Sequence, residues 1–199
     1  MKFKQLAAVT TLLLGSPLAY AASPVFSDNF DSYAANQLNW TPPASSGWTV
    51  SDGTVDLVGA GGTDLVPGHG SYVDLDGSTL NSGLFSNSVN LIGGTTYIRS
   101  FDLAGSHRGS AETVNVNFGS TDASYSLDST DPFSTFALNF TPGSDGSYSL
   151  GYLNVGGDNV GILLDNVSVS AVPEPETYAM LLAGLSLVGF MSRHRRKAS

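Results

Sequence analysis

The central part of this 199-residue chain is predicted to be all-β, a single β-sandwich or jelly roll of about eleven short strands. Three observations predict it. Apolar and polar residues alternate with period two: from Thr113 to Phe118, Val114, Val116 and Phe118 share one parity, and Thr113, Asn115 and Asn117 the other. Turn dipeptides such as Asp52-Gly53, Asp76-Gly77, Gly93-Gly94, Asp145-Gly146 and Gly156-Gly157 punctuate the runs. No helical period lies between them, and 23 glycines suit turns better than long helices.

Residues 1–21 read as a secretory signal peptide. Lys2 and Lys4 supply the charged start, and Leu6 to Leu14 is apolar but for Thr10 and Thr11. Ala19-Tyr20-Ala21 then places small residues where signal peptidase reads them. The apolar run is shorter than the ~20 residues of a membrane span. Residues 22–171 form the sandwich, with strands expected at 25–30, 48–51, 55–58, 72–75, 84–91, 95–103, 113–118, 123–127, 135–141, 148–153 and 161–170. Strands with one apolar face close best as two packed sheets. Val172-Pro173-Glu174-Pro175-Glu176 ends the domain, because prolines remove backbone donors and disfavour helix before them. An apolar segment, 178–191, precedes Arg193-His194-Arg195-Arg196-Lys197. By the positive-inside rule the basic cluster stays cytoplasmic, placing residues 22–175 outside the cytoplasm.

Residues 172–197 resemble the PEP-CTERM sorting signal of Gram-negative bacteria. The resemblance rests on the order of Val172, Pro173, Glu174 and Pro175, the apolar segment, and the basic end with Arg193, Arg195 and Arg196. It implies a short C-terminal transmembrane sorting helix that holds the precursor in the inner membrane. It also implies processing by an exosortase, a host that makes exopolysaccharide, and a destination at the outer surface or in the extracellular matrix. The domain itself is similar to galactose-binding-like jelly rolls of exported cell-wall proteins. That likeness runs through Tyr72 to Gly77, Gly94 to Gly105, Phe133 to Phe136, and above all the closing Leu164-Asp165-Asn166-Val167-Ser168-Val169. It implies a sandwich that often binds carbohydrate, commonly with a structural calcium ion. The aspartate of the last strand then joins first-strand residues at the metal, which maps to Asp165 with Asp31 and next Asp28. The family usually has glutamate in the first strand, where Asp31 stands.

Charge and composition narrow the function. Between residues 24 and 171 only Arg99 and Arg108 oppose fifteen carboxylates, a surface that repels phosphate backbones and excludes nucleic-acid partners. There is no cysteine, hence no disulfide, thiolate metal site or thiol nucleophile. Leu163, Asp165, Val167 and Val169 share one parity, which places Asp165 inward, where an ionised carboxylate needs a metal or backbone N–H groups. Ca²⁺ suits its oxygen ligands. Trp40, in Asn39-Trp40-Thr41-Pro42-Pro43, is expected on a loop as an exposed ring for a sugar face. His107 and Arg108, on the loop 104–111, are its expected polar partners, although Arg108 equally suits neutralising a nearby aspartate. Asp74 and Asp76 share a strand parity and, with Asp102, provide the paired carboxylates that an enzymatic alternative, a polysaccharide hydrolase, needs. His69 and His107 accompany neither a Gly-x-Ser-x-Gly elbow nor a His-x-x-x-His spacing. The sequence therefore reads as a non-catalytic exported protein that associates with extracellular polysaccharide. Its expected partners are signal peptidase, exosortase, the membrane and the polysaccharide. A purely structural matrix protein is the third reading.

Overall fold

The computed structural model describes residues 23–34, 36–173 and 181–187; the signal segment and the basic cluster lie outside these. Among the described residues eleven strands form where the sequence predicts them, with ends displaced by up to two residues. They are β1 (Phe26–Asp28), β2 (Thr49–Ser51), β3 (Asp56–Gly59), β4 (Ser71–Asp74), β5 (Leu84–Leu91) and β6 (Tyr97–Ala104). The others are β7 (Glu112–Phe118), β8 (Thr121–Leu127), β9 (Ser134–Phe140), β10 (Gly146–Asn154) and β11 (Leu163–Ala171). One 3-10 turn, Ala44–Ser46, precedes β2.

The strands pair antiparallel into two sheets. One runs β3-β4-β11-β6-β9, with β1 also on β11, and the other runs β2-β5-β10-β7-β8. The inner faces follow the parity of the sequence. Val114, Val116 and Phe118 of β7 are buried, while Thr113, Asn115 and Asn117 face outward, where Thr113 shares a hydrogen bond with Ser126 of β8. Trp48, Phe85, Phe101 and Tyr152 anchor the interior, and Trp48 stacks on Phe85 with centroids 4.2 Å apart. The β7–β8 hairpin needs a left-handed residue in its two-residue loop. Gly119 supplies it at φ 58°, where a β-carbon would run into the Phe140 ring.

Strand β11 departs from simple alternation. Its register against β6 shifts by one residue between Asp165 and Ser168, and Asn166 adopts φ 49°. This bulge reverses the parity. Leu164 before it and Val167 and Val169 after it face the core, whereas Leu163 packs in a separate cluster with Val58, Tyr72 and Ala104. Asp165 pairs with Asp102 and lies on the outer face of the six-stranded sheet, not inward as equal spacing predicts. It is nevertheless only 3% exposed.

The last strand runs almost directly into the tail: Ala171 pairs with Tyr97, and the Val172 N–H donates to the Thr96 carbonyl. Residues 181–187 are helical and exposed. Among the described residues no helix is long and apolar enough to cross a membrane, and the remainder of the expected 178–191 segment lies outside them.

Candidate functional site

The bulge and the first strand together shape an opening on the surface of the described residues. β4 and β1 both pair with β11, β4 at Leu163–Leu164 and β1 at Val167–Val169. Beside β1 and the bulge lies a cleft of about 760 Å³. Phe26 and Tyr33 give it half-buried aromatic edges, and Asp28, Asn29, Ser45 and Asn166 give it donors and acceptors. Hydroxyls, amides and one carboxylate around an aromatic edge are the chemistry that reads polyhydroxylated ligands.

A hydrogen-bond network fixes the wall of this cleft. The Asp28 carboxylate accepts from the Trp48 indole at 3.0 Å, the Tyr33 hydroxyl at 2.9 Å and the Phe30 N–H at 2.9 Å. Burial, then the Asp28 bond and charge, push the Tyr33 hydroxyl's pKa upward. Asp31 accepts from the Ser71 N–H and from Asn29. Asn166 donates to Asp102, which also accepts from Thr135.

The three carboxylates expected at a metal are thus used differently. Asp28 is engaged by three donors, the Trp48 indole, the Tyr33 hydroxyl and the Phe30 N–H. Asp31 and Asp165 remain in one neighbourhood. Burial pushes the Asp165 pKa up to about 7, opposed by the Asn166 N–H and reinforced by the charges of Asp31, Asp102 and Asp28. Among the described residues no three His, Cys, Asp or Glu side chains are disposed to share a metal ion.

The residues expected to bind sugar are not assembled. Trp40 is 3% exposed and packs on Phe30, Tyr33 and Phe85, so its ring belongs to the core. The reason is local: its backbone N–H donates to the Val55 carbonyl, tying the loop to the sheet and turning the indole inward. Arg108 pairs with the buried Asp74 and donates to the Asn159 carbonyl, which realises the neutralising alternative. His107 is exposed at φ 53°, held by its N–H to the Ser129 carbonyl.

Asp74 and Asp76 of the enzymatic alternative are buried, whereas Asp102 is half-buried and held by Asn166 and Thr135. Asp74 is 1% exposed, and burial raises its pKa to about 7 despite the opposing pull of Arg108. Asp76 accepts from the Asp158 N–H, and burial raises its pKa as well. His69 packs against Phe133 with ring centroids 4.7 Å apart and planes tilted by 39°. Sequence reasoning missed the Asp28–Trp48–Tyr33 network, which joins residues up to twenty positions apart and has no local signature. It also missed the bulge, whose one local cue is an Asn, a residue that tolerates left-handed backbone.

Comparison with known proteins identifies the tail. Residues 171–197 match the PEP-CTERM protein-sorting motif. The PEP-CTERM motif marks an exported protein processed at the membrane. No curated protein matches the chain. Among solved structures, similarity extends to the CBM22-1 xylan-binding domain from Paenibacillus barcinonensis. Identity there is 17%, over 77% of this chain and 97% of that one, with TM-score 0.47. A structure described as CBM4 structure and function is 18% identical over 63% of this chain and 86% of that one, TM-score 0.43. The CBM22-1–GH10 modules of a Clostridium thermocellum xylanase, complexed with xylohexaose, are 16% identical over 76% of this chain, TM-score 0.47. The match spans only 29% of that longer protein. The two-sheet sandwich that precedes the motif stands on its own strand pairing.

Proposed function

We propose that this is an exported, exosortase-processed protein of the cell surface or extracellular matrix. Its sandwich associates non-catalytically with extracellular polysaccharide at the cleft beside β1. The sorting motif at 171–197 carries the first half of the reading. The lining of the cleft supports the second: Phe26 and Tyr33 offer ring edges, and Asn29, Ser45 and Asn166 offer hydroxyl and amide groups without strong charge. Asp31 and Asp165 add one question to the same region, since a Ca²⁺ ion between them would relieve their mutual repulsion.

Co-sedimentation with the host's exopolysaccharide, with and without EDTA, tests the proposal. Wild-type protein is expected to pellet with the polymer, and Ser45→Arg, which places a long side chain in the cleft, to stay in the supernatant. Binding lost on chelation assigns the cation to the site; binding that survives EDTA removes calcium from the reading. Equal pelleting of wild type and Ser45→Arg would move the site elsewhere. No pelleting of either would remove that polymer as the ligand.

A further inference from the structure

Arg99 occupies an unusual place. It alternates along β6 with Tyr97, Phe101 and Leu103, all inward, and is 0% exposed between the sheets. Its Nη1 donates to the Asn117 carbonyl. Its Nε and Nη2 have no acceptor among the described residues, and neither does the buried Tyr152 hydroxyl find a partner. The guanidinium carbon lies 4.0 Å from the Tyr152 ring centroid and 5.2 Å from that of Phe101. Although the domain carries fifteen carboxylates, the one ion pair among the described residues is Arg108–Asp74.

The apolar interior divides here. Tyr97, two residues before Arg99, packs with Phe118, Leu150 and Val169. Phe101, two residues after it, packs with Tyr152 and Val116 in the other cluster. An arginine does not shed its proton at any ordinary pH. A guanidinium in a low-dielectric interior therefore needs compensation, and the two aromatic faces supply part of it. Burial pushes the Tyr152 hydroxyl up to about 12, opposed by the Arg99 charge, so the hydroxyl keeps its proton and acts as a donor.

We propose that the sandwich interior binds a small monovalent anion of the halide class, held by the Arg99 guanidinium and the Tyr152 hydroxyl. The donor set makes the choice. The free groups are N–H and O–H donors, which suit a ligand that only accepts. A water molecule would bring two further O–H donors to groups that are themselves donors. Enclosure between the sheets favours a small spherical ion over a phosphate or a carboxylic acid.

The test is thermal unfolding of the protein in sodium chloride, bromide, fluoride and gluconate at matched sodium, from millimolar to molar. Matching sodium removes the general screening of the acidic surface. An anion bound only by the folded state raises the midpoint with concentration. The expected result is a rise of a few degrees in chloride and bromide over gluconate. That rise should vanish in Arg99→Met, which keeps the volume, and shrink in Tyr152→Phe. Crystals grown in bromide give an independent reading on wild type: an anomalous peak within hydrogen-bond distance of Arg99 Nε or Nη2 supports the site. Midpoints that are identical in all four salts, an anion effect that persists in Arg99→Met, or density without anomalous signal at Arg99 would each overturn it.

Discussion

Asp74 and Arg108 show how a single pair sets a pH response. Asp74 ordinarily titrates at 3.8, and burial carries it to about 7 in the fold even with Arg108 alongside. Between those values the folded state holds more protons than the unfolded one. The contribution of Asp74 to stability therefore falls as pH rises from about 4 to about 7 and is level outside that window. Asp74→Asn should remove that part of the slope, as read from urea midpoints across the window. Arg108→Gln leaves the carboxylate without its cation. The loss should be about 3 kcal/mol above neutral pH, the low end for breaking a buried pair because Arg108 is itself 30% exposed. It should shrink in acid, where Asp74 is protonated, and the Asp74→Asn/Arg108→Gln double variant should recover most of it. Asp28 is a second sensitive residue. Asp28→Ala strands the Trp48 indole N–H and the Tyr33 hydroxyl, at a cost on the order of 3 kcal/mol. The altered environment of Trp48 should also shift the protein's fluorescence.

At the scale of elements, the bulge in β11 determines more than any other feature. It turns Asp165 to the outer face and brings Asn166 into the cleft. Asn166 holds φ 49° and donates to Asp102, so its replacements should separate by backbone preference. Asn166→Gly accepts the left-handed backbone and loses only an exposed hydrogen bond. Asn166→Val must adopt the same backbone with a branched side chain, which costs about 1–3 kcal/mol. Denaturant midpoints of the two variants measure the difference. If Val is tolerated as well as Gly, the bulge is not what holds the strand. Strands β3 and β4 are buried at every residue, whereas β5, β6 and β7 alternate as their sequences predict. β5, predicted at 84–91, forms over those residues because Phe85, Asn87, Val89 and Leu91 bury in sequence while their neighbours face out.

For the whole molecule, the domain and the sorting tail make separable demands. Among the described residues, a backbone hydrogen bond from Val172 to Thr96 links the tail to the sandwich, and the core clusters contain no residue beyond 171. Replacing Pro173, Glu174 and Pro175 with alanine should leave the domain's unfolding midpoint unchanged within about 0.5 kcal/mol. The same variant should accumulate as unprocessed precursor in the membrane fraction, visible as a size shift on a blot. A shared loss of stability and processing would show that the two parts depend on each other.

The sequence by itself determined the strand positions, the two-sheet architecture and the sorting motif. Each is a local pattern: period-two alternation, Gly and Asp turns, and the order of Pro-Glu-Pro, apolar segment and basic end. Tertiary structure decided which side chains meet. Trp40 reads as a loop residue in sequence, yet its N–H bond to Val55 swings the indole into the core. Asp165 shares parity with Val167 in sequence, yet one extra residue at Asn166 reverses its face. Arg99 was legible in principle, since it shares parity with Tyr97, Phe101 and Leu103, but the absence of a carboxylate beside it was not. Alternation assigns a side chain to a face, whereas its partners come from the pairing of distant strands, and only the assembled sheets fix those.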